Sequence, residues 1–191
     1  MTTFSSPSDS IFSSQMDLIY SNKLTSPTNS VSTGTLPVGG YKAYRVYTSL
    51  RTTGTYNLSQ IDILFNGDAN GSSNYVHMRG AIRSDNVFVG SINSTYPAIG
   101  PLVNGTNITT DQFAFSVFDI QDPEATDKFK LYTGQSYGPS SSAAVNTNQT
   151  RLFAVGYTQM QAITSIEFKI PDPTSGTNFV SGCSFYIYGM K

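Results

Sequence analysis

The residues best placed to do chemistry in this chain fall in one short segment, FNGDANGSSNY, from Phe65 to Tyr75. Counted from Asn66, the side-chain oxygens of Asn66, Asp68 and Asn70 take positions one, three and five of a twelve-residue calcium loop, and Gly71 takes the sixth, where such a loop turns sharply. The twelfth position is His77, where a bidentate carboxylate is needed, and Asp68 supplies the only charge. That donor set is too weak for calcium, so no metal is expected. Its Asn-Gly and Asp content instead specifies a tight inter-strand turn.

A second group of candidates is Asp119, Asp122, Glu124 and Asp127, in the stretch DIQDPEATDK. Two carboxyls facing each other across a cleft could hydrolyse a glycosidic bond. Here all four share one connection with Pro123 and polar neighbours, which reads as a solvated loop. Cys183 alternates with Phe185 and Ile187 and reads as a buried, inert thiol. His77 is the single imidazole available to activate a nucleophile, and its parity, opposite to Val76 and Met78, predicts a solvent or interface position. There is no G-x-S-x-G elbow, no P-loop and no dinucleotide fingerprint. The expectation is a protein that is not an enzyme and carries no cofactor.

The elements that hold these residues follow from composition and periodicity. A length of 191 residues suits one domain, and with a single cysteine the fold must be held by packing, without an internal disulfide. The net charge is -1, and Lys and Arg are scattered without runs, so a nucleic-acid partner is not expected. No apolar stretch approaches the roughly 20 residues of a membrane-spanning helix. No positive n-region and apolar h-region mark a secretory signal, so neither a membrane partner nor secretion is expected.

Residues 1–38 are rich in Ser, Thr, Pro and Asn, with scattered apolar side chains. The segment reads as an extended attachment arm whose anchors are Phe4, Ile11, Phe12, Leu18, Ile19 and Tyr20. Residues 39–191 show period-two alternation bounded by turn residues. Tyr44, Val46 and Leu50 share one parity, as do Ile61, Ile63 and Phe65, with Gln60 and Asp62 opposite. Apolar triples recur at Phe113, Phe115 and Val117, at Ile166, Phe168 and Ile170, and at Cys183, Phe185 and Ile187. About nine strands result, predicting an all-β fold, an antiparallel β-sandwich of jelly-roll type. Its loops 67–73, 96–109 and 134–148 are where a ligand would be met, with Asp68, Asn70, Tyr96, Asn107 and Tyr137 as candidates.

The order of several short pieces adds a resemblance. LP-x-GG-Y (Leu36 to Tyr41) precedes YRVYTSLRT (Tyr44 to Thr52), then the FNGD turn with Asn74 and Tyr75, and FSVFDIQDP with its following lysine (Phe115 to Lys128). ITSIEF (Ile163 to Phe168) and G-x-NF-x-x-G-x-x-x-x-IYG (Gly176 to Gly189) complete the series. In this order and spacing the chain resembles the small jelly-roll virion structural proteins of tailed bacteriophages, which sit on the head or tail. The resemblance implies a homotrimer on the virion, assembled in the host cytoplasm, with the major capsid protein or another virion protein as partner. It implies a capsid decoration, or cement, role through the N-terminal arm. The rival expectation is a receptor- or carbohydrate-binding tip that takes a host glycan. Two departures stand out: the chain has no tryptophan before the ITSI strand, where Phe153 or Tyr157 takes its place, and Cys183 replaces a small polar residue.

Overall fold

The computed structural model describes residues 16–55, 58–68, 74–83, 88–93, 99–105, 112–138, 149–171 and 176–191. These form β1 (Met16–Lys23), β2 (Ser30–Ser32), β3 (Ala43–Leu50), β4 (Leu58–Phe65), β5 (Tyr75–Arg83) and β6 (Phe88–Asn93), followed by β7 (Ile99–Asn104), β8 (Ala114–Gln121), β9 (Lys130–Gly138), β10 (Gln149–Tyr157), β11 (Ile166–Lys169) and β12 (Ser184–Met190). An eight-stranded antiparallel sheet in the order β1-β12-β3-β8-β9-β10-β5-β6 packs on a four-stranded sheet in the order β2-β11-β4-β7. The fold is the expected antiparallel β-sandwich.

Alternation places the core where the pattern is clean. In β3, Tyr44, Val46, Thr48 and Leu50 are buried and the residues between them are half-buried. Ile166 and Phe168 of β11, and Phe185 and Ile187 of β12, are also buried. Between the sheets Phe65, Tyr75, Phe118, Tyr132, Phe153 and Tyr157 form one aromatic cluster with ring centroids 4.9 to 6.3 Å apart, mostly tilted or edge-on. Each such ring removes a large apolar surface from water and adds about 0.5–1.5 kcal/mol per well-placed pair.

The expected boundary at residue 38 does not hold. β1 pairs with β12 from Met16↔Met190 to Lys23↔Ser184, and β2 pairs with β11. Ile19 and Tyr20 pack against the core, while Val31 and Leu36 are buried in it. The segment from Met16 onward is therefore part of the sandwich. Its polar residues are those of strands half-exposed at sheet edges, which composition alone does not separate from a free arm. Leu18 faces solvent, and Phe4, Ile11 and Phe12 lie outside the described residues.

Two strands present the opposite face from the one expected. In β8 the buried residues are Ala114, Ser116, Phe118 and Ile120, and Phe115 is exposed. In β5, Tyr75 is buried while Val76 and Met78 are exposed. β8 carries large apolar side chains on both parities, so period two cannot choose its inner face, while in β5 the more apolar parity of Val76 and Met78 is the one that faces out; a shift of one residue exchanges the two sets. β9 continues through Gly134 to Gly138, where a loop was expected, and this places Tyr137 on a strand. A Cβ at Gly134 would stand 2.2 Å from the Cβ of Phe118, so glycine is there for the close approach of β8 rather than for a turn.

A chain beginning at Met16 retains all twelve strands and is expected to unfold cooperatively in urea. Removal of residues 1–38 takes away β1, β2 and the buried Leu36, and is expected to abolish the cooperative transition followed by circular dichroism.

Candidate functional site

The turn after β4 uses its polar atoms internally. Asn66 and Gly67 have positive φ, 56° and 70°, and the Asp68 amide donates to the Phe65 carbonyl at 2.9 Å. Asn66 Oδ1 accepts from the Thr164 amide at 2.7 Å, the Thr164 hydroxyl at 3.0 Å and the Ser165 amide at 3.2 Å, while its Nδ2 donates to the Ala162 carbonyl at 2.8 Å. Asp68 Oδ2 accepts from Asn74 Nδ2 at 2.6 Å and from the Tyr157 hydroxyl at 3.2 Å. The lone pairs that a calcium loop needs thus tie the turn to β10 and to the connection before β11. Among the described residues no group of three His, Cys, Asp or Glu side chains could hold a metal ion.

The acidic connection is likewise committed. Asp119, on β8, holds Arg45 of β3 through two bonds of 2.7 Å. Glu124 accepts from three successive backbone amides: those of Gly39 at 2.9 Å and Tyr41 at 3.2 Å on Oε1, and that of Gly40 at 3.0 Å on Oε2. Such a nest of amides is a carboxylate site in its own right. The expectation of a merely solvated loop therefore holds for the exposed Asp122–Lys128 pair, 3.4 Å apart, but not for Asp119 or Glu124. Cys183 is fully buried; its sulfur accepts from the Arg51 amide at 3.3 Å and donates to the Arg51 carbonyl at 3.1 Å. Burial pushes its thiol pKa up, which suppresses the reactive thiolate.

Asp62 was expected opposite the apolar face of β4, and is buried there. It lies in register between Lys169 of β11 and Ile99 of β7, in an inner strand of the smaller sheet. Burial pushes its carboxyl up to about 7, opposed by the nearby Lys169 charge.

The larger sheet offers the surface with the most to bind. On its outer face the register aligns Tyr188, Arg45, Asp119, Thr133, Ala154 and Met78 in one row, and Tyr186, Tyr47, Val117, Gln135 and Leu152 in the next. A third row pairs Phe115 with Tyr137. Phe115, Leu131, Tyr137, Leu152, Val76 and Met78 are each 47% to 55% exposed, far from the usual scatter of single surface apolars. Tyr47 bridges the rows, edge-on to Tyr188 at 5.8 Å and tilted to Phe115 at 6.4 Å. An open groove of about 400 Å3 crosses the centre, lined by Arg45, Val117, Asp119, Thr133, Gln135 and Leu152.

Of the residues singled out by sequence, Tyr137 belongs to this face, through its strand and not through a loop, and Leu18 is exposed on β1 of the same sheet. Asp68 is a structural acceptor far from it in role. Asn70, Tyr96 and Asn107 lie outside the described residues. Phe115, Val117, Leu131, Leu152, Val76 and Met78 escaped sequence reasoning as surface residues. The one available signal was Asp119, whose charge forbids its parity from facing the core.

Neither the protein-family models, nor the curated proteins, nor the solved structures compared with this chain give a match.

The buried Asp62 generates a pH prediction. An unfolded aspartate ionises near about 3.9, whereas the folded one keeps its proton to about 7. Between these values the folded state binds more protons, so Asp62 lowers stability as pH rises through that window, and the loss is complete above it. Asp62→Asn is expected to flatten this part of the profile and to raise the urea midpoint at pH 8, read from unfolding curves between pH 4 and pH 8. An unchanged profile would remove Asp62 as its source.

Proposed function

We propose that this chain is a non-enzymatic structural protein of a tailed-bacteriophage virion, a capsid decoration protein that acts by burying surface. The observation that carries the reading is the outer face of the eight-stranded sheet, where apolar and aromatic side chains from adjacent strands stand half exposed. The commitment of Asp119, Glu124 and Asp68 to structural bonds supports a role without catalysis. The ordered sequence pieces from Leu36 to Gly189 direct the reading to a virion.

Neighbouring copies of this chain are the occupants we assign to the face, in the homotrimer that the resemblance implies. Eight strands about 4.8 Å apart and some 25 Å long present roughly 900 Å2, close to the ~800 Å2 per partner of a stable interface. Its central charges, Arg45 and Asp119, neutralise each other, so copies can approach without like-charge repulsion. Attachment to the major capsid protein is assigned to residues ahead of β1, where Phe4, Ile11 and Phe12 stand, because Ile19 and Tyr20 serve the domain's own core. Tethering several copies would multiply weak contacts through effective concentration.

A second reading, a receptor-binding tip that takes a host glycan, is favoured by the groove itself. It sets the planar polar groups of Arg45, Asp119 and Gln135 near the ring of Tyr47, a pairing of hydrogen-bonding edge and stacking face that suits a sugar. A glycan array separates the two: a hit abolished by Gln135→Ala favours the tip.

Sedimentation equilibrium tests the face. The wild-type chain is expected to assemble, and Leu152→Asp or Phe115→Asp to yield a folded monomer. A monomeric wild type, or variants that remain assembled, would reject the face. Mass spectrometry of banded particles from the source tests the virion role, which requires the chain to co-purify with the capsid protein.

A further inference from the structure

Behind Phe115 and Tyr137 the same sheet carries the opposite chemistry on its inner face. Thr48 of β3, Ser116 of β8 and Ser136 of β9 are register partners, Thr48↔Ser116 and Ser116↔Ser136, and so form one straight row across three strands. They are 1%, 0% and 2% exposed. The hydroxyl oxygens of all three are buried and have no hydrogen-bond partner among the described residues. The next residue in the row, Arg151 of β10, is in register with Ser136 and donates from Nη1 to Gln60 Oε1 at 2.9 Å, crossing to the smaller sheet. β7 of that sheet packs over β3, β8, β9 and β10.

A buried hydroxyl without a partner is costly, and native proteins rarely leave one. Three in consecutive register positions are a feature of the row rather than of any one residue. Cross-strand neighbours have Cβ atoms about 4.5–5.5 Å apart, a spacing that one water can bridge by hydrogen-bonding to both oxygens. We propose that Thr48, Ser116 and Ser136 form an internal hydration site that holds ordered water between adjacent strands. Water supplies what the hydroxyls need, since it donates to one oxygen and accepts from the next. This end of the sandwich then has a wet interior under an apolar exterior.

High-resolution crystallography of the full chain, with water–protein cross-relaxation in solution, tests the site directly. Ordered water is expected within hydrogen-bonding distance of at least two of the three oxygens. Urea unfolding gives a second readout whose sign discriminates. If water bridges the row, Ser116→Ala strands the bridging water and lowers the midpoint, and Ser116→Ala combined with Ser136→Ala lowers it by less than the sum of the single effects. If the row is dry, removing an unpartnered hydroxyl raises the midpoint or leaves it unchanged. A dry row in the crystal, a midpoint raised by Ser116→Ala, or strictly additive losses would each overturn the proposal.

Discussion

The bidentate pair between Arg45 and Asp119 ties β3 to β8 on the outside of the larger sheet, and the facing of every neighbouring strand depends on that choice. Sliding β8 by one position would bury Phe115 and Val117, a gain of a few kcal/mol at about 1.5–3 per side chain. It would also carry Asp119 into the aromatic core, where an unpaired carboxylate costs far more, and expel Phe118 and Ile120. Because the hydrogen-bond ladder continues through β9 and β10 to β5, the same decision exposes Tyr137, Leu152, Val76 and Met78 and buries Ser116 and Ser136. The apolar exterior and the hydroxyl row are two sides of one register.

Polar side chains elsewhere hold connections together. Glu124 fixes the chain just before β3 by gathering three amides, and Asn66 does the reverse job after β4, where one side-chain amide reaches into the connection ahead of β11. Asp17 joins this pattern at the sheet edge, bonded to Lys191 at 3.0 Å and to the Tyr41 hydroxyl at 3.1 Å. The chain has few charged residues, and Arg45, Asp119, Glu124, Asp68, Asp17 and Lys191 among them serve as staples. This is a reason to look for function in the apolar surface.

How far the sequence discloses the fold differs by strand for physical reasons. β3 and β11 alternate cleanly and were legible, because one parity is apolar and the other largely polar, and β12 was legible because Phe185 and Ile187 alternate with Ser184, Tyr186 and Tyr188. β8 and β5 were legible as strands but not in their facing, since β8 is apolar on both parities, β5 turns its apolar Val76 and Met78 outward, and the deciding facts are long-range, such as Arg45 opposite Asp119. β1 and β2 hide in Ser- and Asn-rich sequence because they lie at sheet edges and bury only part of themselves. β7 contains Pro101, which reads as a break but is tolerated at an edge. The candidate surface was nearly invisible for the same reason as the facing of β8. Tyr137 was noticed as an aromatic that a ligand could meet, yet its place beside Phe115 depends on a pairing that no local pattern reveals.

The position of β12 bears on how the molecule comes into being. It lies between β1 and β3, so two strands from the first quarter of the described chain have no neighbour to join them until residues 184–190 exist. On a ribosome β1 and β3 would hold two open edges until β12 left the exit tunnel and could join them. Pairings of such sequence separation are slow to form, and open edges in the meantime favour association with other chains. The topology therefore makes closure of the larger sheet wait for β12, with protection of the nascent edges as a condition of yield.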